Sequence, residues 1–350
     1  MQRVEEIKTG KQMTPDEAEA FRKNFCWTLR DPRGKRKIYT LKNDIPRWST
    51  YLKVHSARED AKEELAYWAA FQMTPGGDAF SLMDWKQGYM QGMPKKVPSK
   101  YRKVLFNHNS GFNQIVSLFQ GDICSLDIDC IVNAANNAML GGGGIDGAIH
   151  RRAGPWLVED CRVHQRRVLM DTEWGPEEVV MGCADGDAKL TRGFCLPARY
   201  ISFLCLLQVL AILHTHTYTS HRYVIATVGP RIHEDRYGRI VLKPKVLSSC
   251  YIRCLELAKK HKLRSIAFNS ISTGIFGYPV HDAALVALKS LRKWLEKSKE
   301  NAAAFDRIIF CTYSDDDTYA YQNIMPALFP ASDMKVGSTS GGGGGLFGLW

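Results

Sequence analysis

The sequence predicts an α/β fold in which helices cover both faces of a central sheet, preceded by a small, mainly helical N-terminal region. From about residue 111 onward, short apolar runs alternate with amphipathic segments, as strands and helices do in three-layer α/β/α proteins. The glycine-rich turns follow the apolar runs, and ligands of open α/β sheets bind beyond the carboxyl ends of the strands. Residues 1–100 hold four of the eight tryptophans together with helix-start patterns, which indicates an ordered helical region.

The N-terminal region is basic and carries no recognisable chemistry. Thr14-Pro15-Asp16-Glu17 is typical of a helix start, and the capping box Ser56-Ala57-Arg58-Glu59 predicts a helix from there to about Met73. Residues 93–99 have the composition of a linker. Of the 47 Lys and Arg, 21 lie in residues 1–110, against 13 of the 36 Asp and Glu. This surplus can attract nucleic acid, but no nucleic-acid motif accompanies it, so a solvated basic surface is the favoured interpretation.

The segment from 111 to 330 is predicted to be one α/β domain. Its strands are predicted at 114–119, 129–133, 223–228, 264–269 and 307–311. Its helices are predicted from the glycine run to about 162, and at 245–261, 280–297 and 317–328. Residues 331–350 include a low-complexity glycine stretch and are predicted to be a flexible tail.

The chain is organised around the apolar run that ends in Asn133-Ala134-Ala135-Asn136 and the four glycines that follow at 141–144. A strand, a glycine-rich loop and a helix start together present bare backbone N–H groups to a phosphate. Asp146 and His150 are four residues apart, so they share one face at the beginning of that helix. A helix N-cap is the structural alternative for Asp146, and a structural partner is the alternative for His150.

The number and spacing of the cysteines indicate which kinds of site and which cellular compartment to expect. The ten cysteines form no C-x-x-C pair and no His/Cys cluster with zinc spacing, so no metal site and no cofactor are expected. Most cysteines lie in apolar context, as buried free thiols do, and no secretory signal is recognised. An intracellular location is therefore expected, with nucleus or cytoplasm favoured and the mitochondrion left open. No membrane span and a monomeric state are expected.

Six motifs in order resemble the macrodomain family, and in particular its MacroD-type ADP-ribosyl hydrolases. The resemblance covers about residues 111–330 and implies a three-layer α/β/α fold with a mixed, mostly parallel sheet. The motifs are Gly121-Asp122-Ile123, Asn133-Ala134-Ala135-Asn136, the stretch from Gly141 to His150, Ala153-Gly154-Pro155, Thr227-Val228-Gly229-Pro230 and the stretch from Ser272 to Pro279.

The resemblance implies a role for each motif in binding ADP-ribose. Asp122 and the backbone of Ile123 would contact the adenine. Asn136, Asp146 and Phe276 would contact the distal ribose, with His150 orienting Asp146, and these roles make Asp146, Asn136 and His150 the implied catalytic residues. The remaining implied ligand contacts are Asn133 and two loops that would clamp the diphosphate, namely Gly142, Gly143, Gly144 and Ile145 in the first loop, and Ser272, Thr273, Gly274 and Ile275 in the second.

The implied reaction is hydrolysis of the ester between mono-ADP-ribose and an acidic side chain of a modified protein, and deacetylation of O-acetyl-ADP-ribose. Either Asp146 acts as general base on a water, or the substrate's own phosphate positions that water while Asp146 and Asn136 orient the ribose. The partners implied are ADP-ribose and ADP-ribosylated proteins. The alternative function is a reader module that binds ADP-ribose without cleaving it, because a fold alone does not decide between the two.

Two stretches depart from the family pattern. Residues 166–181 are an apparent insertion that fits a surface loop. Residues 200–222 interrupt a segment in which Leu196 to Arg199 is expected to lead directly into a strand at Tyr223, and they are flanked by Arg-Tyr on both sides. We interpret them either as a real insertion or as a retained, in-frame intron, which sequencing of transcripts would decide.

Overall fold

The computed structural model describes residues 38–42, 44–56, 103–172, 175–197, 223–233, 236–237 and 240–337. The strands within them are β1 (Tyr39–Thr40), β2 (Val116–Gln120), β3 (Leu126–Asp127), β4 (Cys130–Ala134), β5 (Arg166–Thr172), β6 (Gly175–Met181), β7 (Ala188–Arg192), β8 (Tyr223–Thr227), β9 (Ser265–Phe268) and β10 (Arg307–Thr312). The helices are α1 (Trp48–Ser56), α2 (Ser110–Ile115), α3 (Gly144–Ala153), α4 (Trp156–Arg162), α5 (Pro244–Lys260), α6 (Val280–Lys297), α7 (Lys299–Ala303) and α8 (Asp315–Leu328).

Six of these strands form one mixed sheet in the order β2-β10-β9-β4-β8-β7. The first five strands run parallel, and β7 pairs antiparallel with β8 at the edge. The carboxyl ends of the five parallel strands therefore meet at one edge of the sheet. The expected mixed, mostly parallel sheet is confirmed.

Alternate residues of each strand pack into two separate hydrophobic clusters, one on each face of the sheet. In β4, Ile131 packs in the cluster that includes α3 and α4, whereas Val132 packs in the cluster that includes α5, α6 and α8. Val224 and Ile225 of β8 divide between the faces in the same way. This alternation follows from the two-residue period of a strand, and it produces the expected three layers.

The predicted strands and the three later helices agree with the structure to within two residues, but the predicted single helix to residue 162 is wrong. The chain forms two helices there, because Gly154 adopts a φ of 86° and ends α3 by donating its N–H to the carbonyl of His150. Pro155 follows and has no N–H to continue the helix. Leu196 and Pro197 are not part of β8, which begins at Tyr223.

The stretch at 166–181 is not an irregular loop. Its two strands, β5 and β6, pair antiparallel from Arg166 opposite Met181 to Thr172 opposite Gly175. The hairpin forms a two-stranded sheet separate from the six-stranded one. Strand β7, which follows this hairpin, was also not predicted.

The described part of the N-terminal region, residues 38–42 and 44–56, packs against the sheet domain. Trp48 is 1% exposed, and its indole nitrogen donates to the carbonyl of Phe329 over 2.8 Å. The guanidinium of Arg307 donates to the carbonyl of Ile45 over 2.8 Å, and burial lowers its pKa to about 10. Helix α1 was not predicted, and it ends at Ser56. The helix predicted from Ser56 to about Met73 stays a prediction, because residues 57–73 lie outside the described part of the chain.

Several other predictions lie outside the described residues. They concern the helix at Thr14, the linker at 93–99, the segment 200–222 and the tail beyond residue 337. No helix of the described residues is long and apolar enough to cross a membrane. Burial raises the pKa of the Cys161 thiol and of the Cys183 thiol to about 12.

Candidate ADP-ribose site

A cleft of about 650 Å³ lies along the sheet edge where the five parallel strands end. It is lined by the loops that follow β2, β4, β8, β9 and β10. Most predicted site residues line it, namely Asp122, Ile123, Asn136, Gly142, Gly143, Gly144, Ile145, Asp146, Ser272, Thr273, Gly274, Ile275 and Phe276. Asn133 and His150 do not line the cleft, and both lie behind Asp146.

Asp146 is a buried carboxylate in the first turn of α3. The amide nitrogen of Asn133, at the end of β4, donates to its Oδ1 over 2.7 Å. Nε2 of His150, one helical turn later, lies 3.3 Å from the same oxygen without forming a hydrogen bond. Oδ2 is buried and has no hydrogen-bond partner among the described residues. One carboxylate oxygen is thus held by the protein, and the other is left for a ligand or a water.

The first glycine loop is shaped by the side-chain amide of Asn136. Its Nδ2 donates to the carbonyl of Gly141 over 2.8 Å, and its Oδ1 accepts from the backbone N–H of Met139 over 3.0 Å. A Cβ on Gly142 would lie 3.2 Å from both Asn136 Nδ2 and Asp146 Oδ2. Glycine at 142 therefore keeps open the space directly in front of the unpartnered carboxylate oxygen.

The second loop, residues 270–277, is a tight turn that follows β9. The N–H of Tyr278 donates to the carbonyl of Ser272, which has a φ of 69°, and the N–H of Gly277 donates to the carbonyl of Gly274. A Cβ on Gly143 would lie 2.9 Å from Cδ1 of Ile275, so the two loops come into contact at this point. Two loops of this kind, facing each other, can bind a diphosphate through backbone N–H groups.

Asp122 lies at the opposite end of the cleft, after β2. Its Oδ1 accepts from the N–H of Cys124 over 2.9 Å, which caps the short 3₁₀ helix Ile123–Ser125. Its Oδ2 forms an ion pair with Nη2 of Arg152 over 3.0 Å, and each side chain is about one third exposed. Arg152 comes from the last turn of α3, so this helix carries Asp146 at its start and Arg152 at its end.

The resemblance assigned no role to Arg152, Arg231, Tyr313 and Asp317, yet all four line the cleft. Tyr313 is 70% exposed, so a ligand in the cleft can reach its aromatic ring. Asp317 lies near the second loop, and burial raises its pKa while a hydrogen bond from Ser314 opposes that shift. Each of the four lies in or directly beyond a segment that was recognised, and this proximity is the only sequence signal that could have found them.

Metal ligands are not clustered in the described part of the chain. No group of three or more His, Cys, Asp or Glu is arranged there to hold an ion.

Comparison with known proteins identifies the family. The model of the Macro domain family matches residues 132–207 and 204–287, and the two matched segments meet inside the segment 200–222. An ADP-ribose glycohydrolase MACROD1 from Bos taurus is 34% identical over 293 residues, which covers 76% of each chain. The Macro domain-containing protein CT2219 from Chlorobaculum tepidum is 40% identical over 215 residues, which covers 61% of this chain and 98% of that protein.

Among solved structures, a Trypanosoma brucei macrodomain in complex with ADP-ribose is 28% identical and covers 78% of this chain and 94% of its own, with a TM-score of 0.46. The curated relatives, at 34% identity over three quarters of the MACROD1 sequence, decide the family on their own. On these grounds the chain belongs to the macrodomain family.

Proposed function

We propose that this chain hydrolyses the ester that joins mono-ADP-ribose to an acidic side chain of a modified protein, and that it also cleaves O-acetyl-ADP-ribose. The observation that carries the proposal is the state of Asp146. Asn133 fixes one of its oxygens, and the other is buried, unpartnered and next to the open space at Gly142. The relatives named ADP-ribose glycohydrolase support hydrolysis over binding alone.

In this proposal the nucleotide runs along the edge of the sheet. The adenine lies at Asp122 and the N–H of Ile123, and the diphosphate lies between the two loops that meet at Ile275. The distal ribose lies against Phe276 and the loop that carries Asn136 and Asp146. His150 acts on Asp146 from behind and does not contact the ligand.

Two routes can activate the water. In the first, Asp146 Oδ2 takes the proton of the water as general base. In the second, the substrate's phosphate holds the water, and Asp146 accepts a hydrogen bond from the ribose. The variant D146N separates them, because its amide cannot take a proton but keeps the size and an oxygen acceptor. If Asp146 is the general base, D146N should be as slow as D146A. If Asp146 only orients the ribose, D146N should retain much of the wild-type rate.

The proposal is tested by release of ADP-ribose from a glutamate-modified protein. The wild type is expected to release it, whereas D146A should lose about 10²- to 10⁴-fold in kcat while binding free ADP-ribose within a few-fold of the wild type. The matched control is E159A, because Glu159 is an exposed carboxylate on α4 outside the cleft. A wild type that binds ADP-ribose tightly and releases none of it would make the chain a reader module.

A further inference from the structure

The strand order determines which end of the cleft each loop occupies. Asp122 follows β2, and Arg231 follows β8, with β10, β9 and β4 between those two strands. Adjacent strands are about 4.8 Å apart, so four spacings separate the two ends by roughly 19 Å. The loop that carries Asp146 follows β4, the direct neighbour of β8. Arg231 therefore lies at the Asp146 end of the cleft, on the side away from Asp122.

Arg231 is held at this end by two contacts with the second loop. Its guanidinium carbon lies 5.0 Å from the centroid of the Phe276 ring. The N–H of the next residue, Ile232, donates to the carbonyl of Phe276 over 2.9 Å. A cation–π contact of this kind uses none of the five N–H donors in a hydrogen bond to a polar acceptor, so these donors remain available to a ligand. Arg231 is exposed and lines the cleft, so a ligand can reach these donors.

We propose that Arg231 is a specificity-determining residue that binds the carboxylate of the acceptor side chain. This inference rests on the proposed function. With the adenine at Asp122 and the distal ribose at Asp146, the group attached to that ribose leaves the cleft at the β8 end, where Arg231 lies. The guanidinium presents paired donors that match the two oxygens of a carboxylate.

The chemistry of the ester explains why a cation at this place is useful. The oxygen of a water forms a bond to C1 of the distal ribose, and the bond between C1 and the acceptor oxygen breaks. The electron pair of that bond stays on the acceptor, which leaves as a carboxylate, and the proton of the water passes to Asp146 or to the substrate phosphate. Arg231 stabilises the negative charge that develops on the leaving group. A serine acceptor leaves as a neutral alcohol and gains no ion pair, so Arg231 favours acidic acceptors.

The test compares R231M and R231K with the wild type on glutamate-modified and serine-modified proteins. We expect R231M to lower kcat/KM for the glutamate ester by about 10- to 100-fold, mostly through kcat. The dissociation constant of free ADP-ribose should change by less than about threefold, because that ligand lacks the acceptor. R231K should recover part of the loss, since it restores the charge without the paired donors.

The matched control is R236M. Arg236 also lies over an aromatic ring, with its guanidinium carbon 4.9 Å from the centroid of Tyr237, but it does not line the cleft. R236M should keep the wild-type rate. The inference is overturned if R231M matches the wild type on the glutamate ester, if it weakens binding of free ADP-ribose by the same factor, or if R231K is no better than R231M. A wild type that releases nothing from either protein contradicts the proposed function itself, which is a different result.

Discussion

The side-chain amide of Asn133 donates to Oδ1 of Asp146 over 2.7 Å, and this hydrogen bond links the end of the central strand β4 to the first turn of α3. Asn133 is 1% exposed and does not line the cleft. The structure thus gives it a position behind the carboxylate, where it can set the direction in which Asp146 Oδ2 points.

Removing this hydrogen bond should slow the reaction more than it weakens binding. In N133A, Oδ1 of Asp146 loses its donor, and the carboxylate is free to turn away from the cleft. We expect kcat to fall about 10-fold or more, as for a hydrogen bond to a charged group, with a change of less than about threefold in the dissociation constant of ADP-ribose. If the affinity for ADP-ribose and kcat fell by the same factor, Asn133 would serve ligand binding instead. Thermal unfolding of the variant checks that the fold is kept.

A methyl group at position 142 should interfere with the site, whereas one at 143 should interfere less. The added Cβ in G142A would lie 3.2 Å from Asp146 Oδ2, in the space we assign to the water and ribose. The Cβ in G143A would meet only Cδ1 of Ile275, an exposed side-chain end that can move aside. We expect G142A to lose at least tenfold more kcat/KM than G143A. Equal losses would mean that the loop backbone, and not the space before Asp146, limits the reaction.

The ion pair between Arg152 and Asp122 should affect recognition of the base. In R152M, Asp122 loses the partner that orients its Oδ2, so we expect ADP-ribose to bind about two- to fivefold more weakly, as for a partly exposed ion pair. Binding of the analogue with hypoxanthine in place of adenine should change less, because it lacks the exocyclic amino group. R151M is the matched control, since Arg151 is exposed and does not line the cleft. Equal weakening of both ligands would contradict a role in base recognition.

Asp317 should make stability depend on pH. Burial raises its pKa above the ordinary value of 3.8, so the folded chain holds this proton more tightly than the unfolded chain. The stability gained from the protonated carboxyl is fully present below pH 3.8 and is lost as the pH rises through the raised pKa. The amide in D317N cannot ionise. As the pH rises from 4 to 7, the free energy of unfolding of D317N should therefore increase relative to that of the wild type, as measured by urea denaturation. D316N, at the exposed neighbouring position, should show no such improvement.

Local patterns in the sequence predicted the part of the site that depends on short segments. The glycine loop, Asp146 and the loop at Ser272 lie within recognised motifs, and their strands and helices bring them to one edge of the sheet. Arg231 and Arg152 reach the same cleft only because the strand order and the length of α3 place them there. Their closeness to recognised motifs in the sequence makes them candidates, but contacts between distant segments decide that they reach the cleft.

The same limit explains the differences in the fold. The hydrogen bond from Trp48 to Phe329 joins residues 281 positions apart, so the local helix pattern of the N-terminal region could not indicate it. The strands β5 and β6 pair with each other in a sheet separate from the central one. Because the hairpin is not part of the central sheet, its sequence does not need a buried apolar run, and it resembles the sequence of a loop.

The antiparallel pairing of β7 with β8 has a consequence for the length of the chain between them. Arg192 lies directly opposite Tyr223, so the connection joins two neighbouring positions, however many residues it contains. Without residues 200–222 it would consist of residues 193–199, roughly a quarter of its present length, which still suffices for a turn between antiparallel strands. Shortening this connection to a quarter corresponds to two halvings of its length. It lowers the entropic contribution to the free energy of closing the loop by about 1.2 kcal/mol. A transcript that lacks codons 200–222 would therefore encode a chain that can form the same six-stranded sheet with a smaller entropic penalty.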